Sequence, residues 1–331
     1  MSKKHPRSMI LHKGLACFSS AARGGGDHYL TTLDYPDALI HRFAFEAGGG
    51  LKWVLSALTT PRETLAPWKI VVITGAPSWA EYWAPAMAAQ PADREMVVVD
   101  RPGYGRSEPG VIVRDIRVQA AALAPLLDAP KGQKVLLVGQ SYGAAIASVM
   151  AADHPRKVAG LVLLSGYFGE PGPTARRLIE AGRRMSRVIP RDLRTAVEEV
   201  RGQPAQLVHA REALNRLRLP VHIIHGDKDD FAPLDIAEKL TAEIKARRFV
   251  RFERVPGANH FMAEGPVDVL VDAIERCIPR TTRRPGVRAR AMAVAARLLD
   301  AAQARAMAAP GRLRRLRLGG ASQDPARLPV G

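Results

Sequence analysis

Cysteine is almost absent from this chain: Cys17 and Cys277 are the only two in 331 residues. Two thiols this far apart build no disulfide framework, and neither has metal-ligand spacing, so a small cross-linked module and a thiolate metal centre are both excluded. The same scarcity suits a reducing compartment, and a cytoplasmic location is the expectation. Long apolar runs are missing as well. Nothing approaches the ~20 consecutive apolar residues that a bilayer span needs. Near the start, the run from Ile10 to Phe18 is broken by His12 and Lys13, which disfavours a secretory signal. Gly14-Leu15-Ala16-Cys17 is a poor match to a lipoprotein cleavage site, because glycine stands where leucine is expected.

Acid is nearly absent from both ends. Residues 1–26 hold Lys3, Lys4, Arg7, Lys13 and Arg23 and no acid, and residues 280–331 hold twelve arginines against Asp300 and Asp324. Of the formal charge of +17, only +2 therefore belongs to the 253 residues between. The basicity is a property of the tails, and it does not point to a nucleic-acid-binding body. Basic tails of this kind are expected to be solvated, with weak contact to an anionic surface as the functional alternative. The segment 1–27 reads as an unstructured leader and 280–331 as a basic, Ala/Arg-rich extension.

What is present is apolar material, 47% of the chain, ample for one core within residues 28–279. Short β-branched runs recur: Lys69 to Thr74, Met96 to Asp100, Lys134 to Val138, Leu161 to Leu164, Val221 to His225 and Val250 to Val255. Runs without polar alternation suit strands buried on both faces. Residues 38–46 and 51–58 read as earlier strands around a glycine turn at 48–50. Residues 115–128, 144–153 and 267–277 have helical spacing. Strands alternating with helices predict an α/β class, a mostly parallel doubly wound sheet. The alternation lapses at about 169–219, which is helical and arginine-rich. It is expected to be a helical lid over the sheet's C-terminal edge, where ligands bind in open α/β sheets.

Gly139-Gln140-Ser141-Tyr142-Gly143 follows one buried strand directly and opens into a helix. A strained strand–turn–helix of this form lifts the serine hydroxyl out of the sheet edge and aims a helix N-terminus at a developing oxyanion. Ser141 is thus the candidate nucleophile. A serine hydroxyl needs a base, and the base needs an orienting acid. Of nine histidines, only His260 lies beyond the last core strand, in a loop at the right end of the sheet. His225, before Gly226, reads as structuring its own turn. The acid is sought after the strand ending at His225, where Asp227, Asp229 and Asp230 are all on offer. Two backbone N–H groups must hold an oxyanion. Tyr142, next after the serine, is one expected donor. Ala76, in Thr74-Gly75-Ala76-Pro77-Ser78-Trp79, is the other, since Pro77 has no N–H. Trp79, Tyr82 and Trp83 suit one helix face and are either core packing or an apolar substrate wall. Arg176, Arg177, Arg183, Arg184 and Arg187 read as an exposed face or as an attractor of anionic substrate.

These motifs resemble the α/β-hydrolase superfamily over roughly residues 40–279, in its lidded branch of esterases, lactonases, carbon–carbon bond hydrolases and epoxide hydrolases. Asp100-Arg101-Pro102-Gly103-Tyr104-Gly105-Arg106-Ser107 is similar to the family's Asp-x-x-Gly-x-Gly-x-Ser loop, a structural element, so Asp100 and Arg101 are not taken as catalytic. The resemblance implies the order Ser141, Asp229, His260, because Gly-x-x-Asp with proline four residues later is the family's usual acid loop. It implies an ester, thioester or lactone of a small acyl compound as substrate, with no cofactor, no metal and no specific nucleic acid. Carbon–carbon hydrolysis, acyl transfer and perhydrolysis by the same triad are the alternatives, as is a non-catalytic ligand-binding protein. One departure stands out: Thr74 replaces the family's usual histidine before Gly75. A serine nucleophile argues against the subgroups that use an aspartyl ester.

Overall fold

Residues 40–278 are described in the computed structural model, apart from 63, 92, 246–248 and 261–266. The expected leader 1–27 and the extension 280–331 lie outside these residues.

The buried runs become the middle of one eight-stranded sheet. In chain order the strands are β1 (His41–Glu46), β2 (Val54–Thr59), β3 (Trp68–Ile73), β4 (Arg94–Asp100), β5 (Lys134–Gln140), β6 (Val158–Leu164), β7 (Val221–Gly226) and β8 (Val250–Val255). Across the sheet they run β1-β2-β4-β3-β5-β6-β7-β8. β2 is antiparallel to both neighbours and the remaining pairings are parallel. The edge strands β1 and β8 alternate between exposed and half-buried residues, whereas β3, β5 and β6 are buried almost throughout. This is the contrast that a sheet covered on both faces imposes.

Side-chain alternation divides the core in two. Val71, Ile73 and Leu137 point to one face, with Ile116, Ile146, Leu214 and Leu240. Ile70, Val72, Leu136 and Val138 point to the other, with Trp83, Met87 and Ile274. The first face carries α2 (Ile116–Leu123), α3 (Tyr142–Asp153), α6 (Leu207–Arg216) and α7 (Leu234–Glu243); the second carries α1 (Ala84–Ala88) and α8 (Val267–Cys277). α3 is the central helix and is buried from Tyr142 to Ala151. Its alanines and Gly143 let it lie close on the sheet: a Cβ at Gly143 would stand 2.2 Å from the Ile73 carbonyl oxygen.

Local signals explain several boundaries. β2 begins at Val54 rather than Leu51, because Gly49 and Gly50 adopt φ of 67° and 72° and extend the turn. The helix expected over 115–128 is capped by Asp115, whose carboxylate accepts from Arg117 N, and it tightens to a 3₁₀ turn at Ala124–Leu127, where Pro125 cannot continue the hydrogen-bond ladder. α1 and α7 had no helical reading in the sequence.

The segment 169–219 contains α4 (Pro173–Arg184), α5 (Arg191–Gly202) and α6. Its last helix is not part of a cover: Leu207, Ala210, Ala213 and Leu214 sit in the core with α3. α4 and the turn after it leave Leu178, Met185 and Val188 exposed. No helix among the described residues is long and apolar enough to cross a membrane.

Candidate active site

β5 ends in the turn that carries Ser141. The serine backbone is held at φ 50° and ψ −119°, a region that non-glycine residues rarely enter, and the Ser141 N–H is tied to Leu164 O at 2.9 Å. Tyr167 N–H returns to Ser141 O at 3.1 Å. The turn also needs small neighbours: a Cβ at Gly139 would meet Ala144 and Ala147 at 2.7 Å. These contacts over-determine the strained residue and leave its hydroxyl at the C-terminal edge of the sheet.

Two loops bring the partners. β7 ends at Gly226, where a Cβ would stand 2.2 Å from Ala258 O, so the acid loop and the loop after β8 lie directly against each other. The structure sorts the three aspartates. Asp229 is buried; its Oδ1 accepts from Phe231 and Ala232 N–H at 3.0 and 2.8 Å, and His260 Nδ1 lies 2.9 Å from Oδ2. Asp227 instead accepts from Gly257 N–H and holds the neighbouring turn, while Asp230 accepts from Thr174 at the start of α4. His260 Nε2 lies 2.9 Å from Ser141 Oγ. Ser141, His260 and Asp229 thus form one continuous chain of contacts across 119 residues. Burial opposes the charge on Asp229, but hydrogen bonds from His225 and His260 outweigh it and hold the carboxyl well below its ordinary range.

His225 was read as structuring its own turn, and its Nε2 does meet Ala232 O at 2.7 Å. It also lies 3.2 Å from Asp229 Oδ2, a role the sequence reading missed. Phe231 was missed too. Its ring stacks on His260 with centroids 5.1 Å apart and an interplanar angle of 13°.

The loop after β3 packs against the serine. A Cβ at Gly75 would stand 3.1 Å from Ser141 Cβ. Thr74, in place of histidine, turns its hydroxyl to Ser78 Oγ and to Val99 O at 3.3 Å, so it is absorbed by the loop itself. Ala76 follows Gly75 at this approach. Tyr142 is the first residue of α3, and an N–H at that position has no acceptor within its helix. Trp79 is half-buried and donates Nε1–H to Asp192 of α5 at 2.9 Å. Trp83 is 1% exposed, donates to Gln140 Oε1 at 3.2 Å, and takes the core-packing alternative.

The Asp-x-x-Gly-x-Gly-x-Ser loop is locked from within. Asp100 accepts from Ala80 N–H and Arg42, and Ser107 Oγ–H donates to Asp100 O at 2.5 Å. Burial and the nearby Glu81 carboxylate push the Asp100 carboxyl up to about 6 against the pull of Arg42. Arg101, fully buried, reaches from this loop to Glu199 of α5. Nothing in the local sequence marks Glu199 as inward-facing.

A family model described as alpha/beta hydrolase fold matches residues 70–196. A 2-hydroxy-6-oxononadienedioate/2-hydroxy-6-oxononatrienedioate hydrolase of Paraburkholderia phymatum is 26% identical over 219 residues, 54% of this chain and 76% of that protein. A pimeloyl-[acyl-carrier protein] methyl ester esterase of Neisseria meningitidis is also 26% identical, over 52% of this chain and 79% of its own length. Among solved structures, a thermophilic esterase from Thermogutta terrifontis superposes with a TM-score of 0.52 at 19% identity, covering 71% of this chain and 97% of the esterase. The sheet order and the family match give the chain the α/β-hydrolase fold, and together with these relatives they support a hydrolase of that superfamily.

Proposed function

We propose that the protein is a serine hydrolase that cleaves an ester, thioester or lactone of a small molecule through an acyl-enzyme. The observation that carries this reading is the unbroken line from Ser141 Oγ to His260 Nε2 at 2.9 Å and from His260 Nδ1 to Asp229 Oδ2 at 2.9 Å. Asp229 accepts the Nδ1–H, so the lone pair on Nε2 faces Ser141 Oγ and accepts the serine proton. Ser141 Oγ attacks the carbonyl carbon, and its proton passes to His260. The N–H groups of Ala76 and Tyr142 hold the oxyanion. Collapse expels the alcohol or thiol, which takes the proton from His260. Water then repeats the sequence on the acyl-enzyme and frees Ser141.

Trp79 is the apolar wall we assign to the substrate, and α4 and α5 are the lid. The small acyl substrate is the partner this site calls for, without cofactor or metal. The scarcity of cysteine supports a cytoplasmic setting. A second reading, carbon–carbon hydrolysis by the same triad, draws on the relative named for a hydroxy-oxo-dienedioate rather than an ester.

A fluorophosphonate probe and a panel of p-nitrophenyl esters test the proposal. Wild-type protein should be labelled and should release p-nitrophenol, and folded Ser141→Ala should do neither. Normal labelling of Ser141→Ala would refute it. Turnover of a 2-hydroxy-6-oxo-dienoate with no ester turnover would favour the second reading.

A further inference from the structure

Arg101 is a side chain without exposure whose five N–H donors are all engaged. Nε–H goes to Thr74 O at 3.0 Å; Nη1 goes to Gln119 Oε1 at 2.7 Å and Glu199 Oε1 at 2.9 Å; Nη2 goes to Gly75 O at 2.8 Å and Glu199 Oε2 at 2.7 Å. Glu199 is equally enclosed. Its Oε1 also accepts from Gln119 Nε2 at 2.8 Å and its Oε2 from Tyr104 OH at 2.5 Å. The guanidinium lies 4.8 Å from the Tyr142 ring centroid and 4.9 Å from that of Tyr104. One buried cation thus touches both residues before Ala76 and the residue after Ser141.

A buried ion pair is seldom the most stable filling for its volume, because desolvating two charges offsets most of their attraction. Its distinctive product is position. The bond to Gly75 O fixes one face of the Gly75–Ala76 peptide. That peptide is not among the cis bonds, so its N–H points away from its carbonyl and therefore away from Arg101. A cationic donor on the carbonyl also polarises the peptide and makes its N–H a stronger donor. The carboxylate that holds Arg101 comes from α5, a helix of the inserted segment, 98 residues further along the chain.

We propose that Arg101 and Glu199 are positioning residues for the oxyanion loop. Glu199, delivered by α5, sets the Arg101 fork, and the fork aligns and polarises the Gly75–Ala76 peptide whose N–H receives the oxyanion. Docking of α5 and formation of a competent loop are then a single event. The inference rests on the reading of Ala76 as a donor in a serine hydrolase.

The test uses the full chain, with p-nitrophenyl butyrate for steady-state kinetics and the fluorophosphonate for a second-order labelling rate. Arg101→Lys keeps a charge beside Glu199, but one ammonium cannot serve both loop carbonyls and both carboxylate oxygens. Glu199→Gln keeps the shape and removes the charge. Arg94→Met is the comparator; it breaks a distant pair with Glu275 at 3.0 Å and loses stability without touching the loop. Arg101→Lys and Glu199→Gln should lower kcat by about 10- to 100-fold, short of full removal of a donor. KM should stay within about threefold, labelling should slow in proportion, and Arg94→Met should keep its kcat. If Glu199→Gln does not fold, Arg101→Lys decides. Folded Arg101→Lys with kcat within about twofold of wild type, or a loss confined to KM, overturns the inference. So does an equal loss in Arg94→Met. Labelling of Ser141→Ala would instead bring down the hydrolase reading beneath it, an outcome distinct from all of these.

Discussion

His225 shares the Asp229 carboxylate with His260. Its Nε2 lies 3.2 Å from Asp229 Oδ2 and 2.7 Å from Ala232 O, and its Nδ1 is buried without a hydrogen-bond partner among the described residues. That pattern is satisfied by the tautomer with hydrogen on Nε2, which donates toward both oxygens. The two histidines thereby meet at one carboxylate oxygen, Asp229 Oδ2. His225→Phe removes the donor and keeps an aromatic ring. We expect kcat/KM to fall by about 10-fold and the unfolding midpoint to drop by several degrees, as for a buried carboxylate that loses one hydrogen bond. Ester kinetics and a thermal melt on the same preparation check this.

Stability should depend on Asp229 in acid. Its folded-state carboxyl is held below the ordinary value, chiefly by hydrogen bonds from His225 and His260 acting against burial. A depressed carboxyl contributes stability that is complete above its unfolded value, about 3.9, and is lost as pH falls through the folded one. Denaturant melts of wild type should therefore steepen in their pH dependence below about pH 4, and Asp229→Asn should flatten that slope. An unchanged slope in the variant would contradict the assignment.

Gly75 and Gly143 should fail in different ways. The nearest neighbours of a Cβ at Gly75 are the Ser141 side chain and Gln140 O, at 3.1 and 3.5 Å. Gly75→Ala should therefore fold and lose kcat by about 10-fold or more, as the serine is pushed off its line to His260. A Cβ at Gly143 would meet the backbone oxygens of Ile73 and Thr74 at 2.2 and 2.5 Å. Neither can yield without moving the sheet, so Gly143→Ala should be recovered as insoluble or strongly destabilised protein. Soluble yield and circular dichroism separate the two.

Core packing sets a reference cost. Leu137, without exposure, sits at the centre of β5 between β3 and β6. Leu137→Ala should cost about 2–5 kcal/mol in urea unfolding, with the slope of the transition unchanged. Its KM and kcat at a temperature well below the midpoint should match wild type.

The strand–turn–helix around Ser141 was legible because everything that shapes it is local: a buried strand, small residues at 139 and 143, and a helix that starts at once. The same holds for the alternation that yields a parallel sheet, since inward-facing runs and helical spacing are properties of neighbouring residues. His260 could be singled out by its place after the last strand. α7 went unread because an intervening loop and a mixed surface obscure its period, and α6 was grouped with the lid because arginines on its outer face mask the leucines and alanines on its inner one.

What residue order alone pointed to is the fold class, the candidate serine, and the loops that carry the candidate base and acid. The family resemblance singled out Asp229 among the three aspartates, and the tertiary structure sets it against His260; tertiary structure alone decided that Thr74 turns its hydroxyl into its own loop and that His225 and Phe231 brace the pair. It also decided the buried face of α5, where Asp192, Thr195, Ala196 and Glu199 turn inward while Leu193, Val197 and Val200 stay only half-buried. An apolar period cannot announce such a face. A polar side chain becomes an inward one only when another part of the chain supplies a matching charge, and for Glu199 that charge is Arg101, 98 residues away.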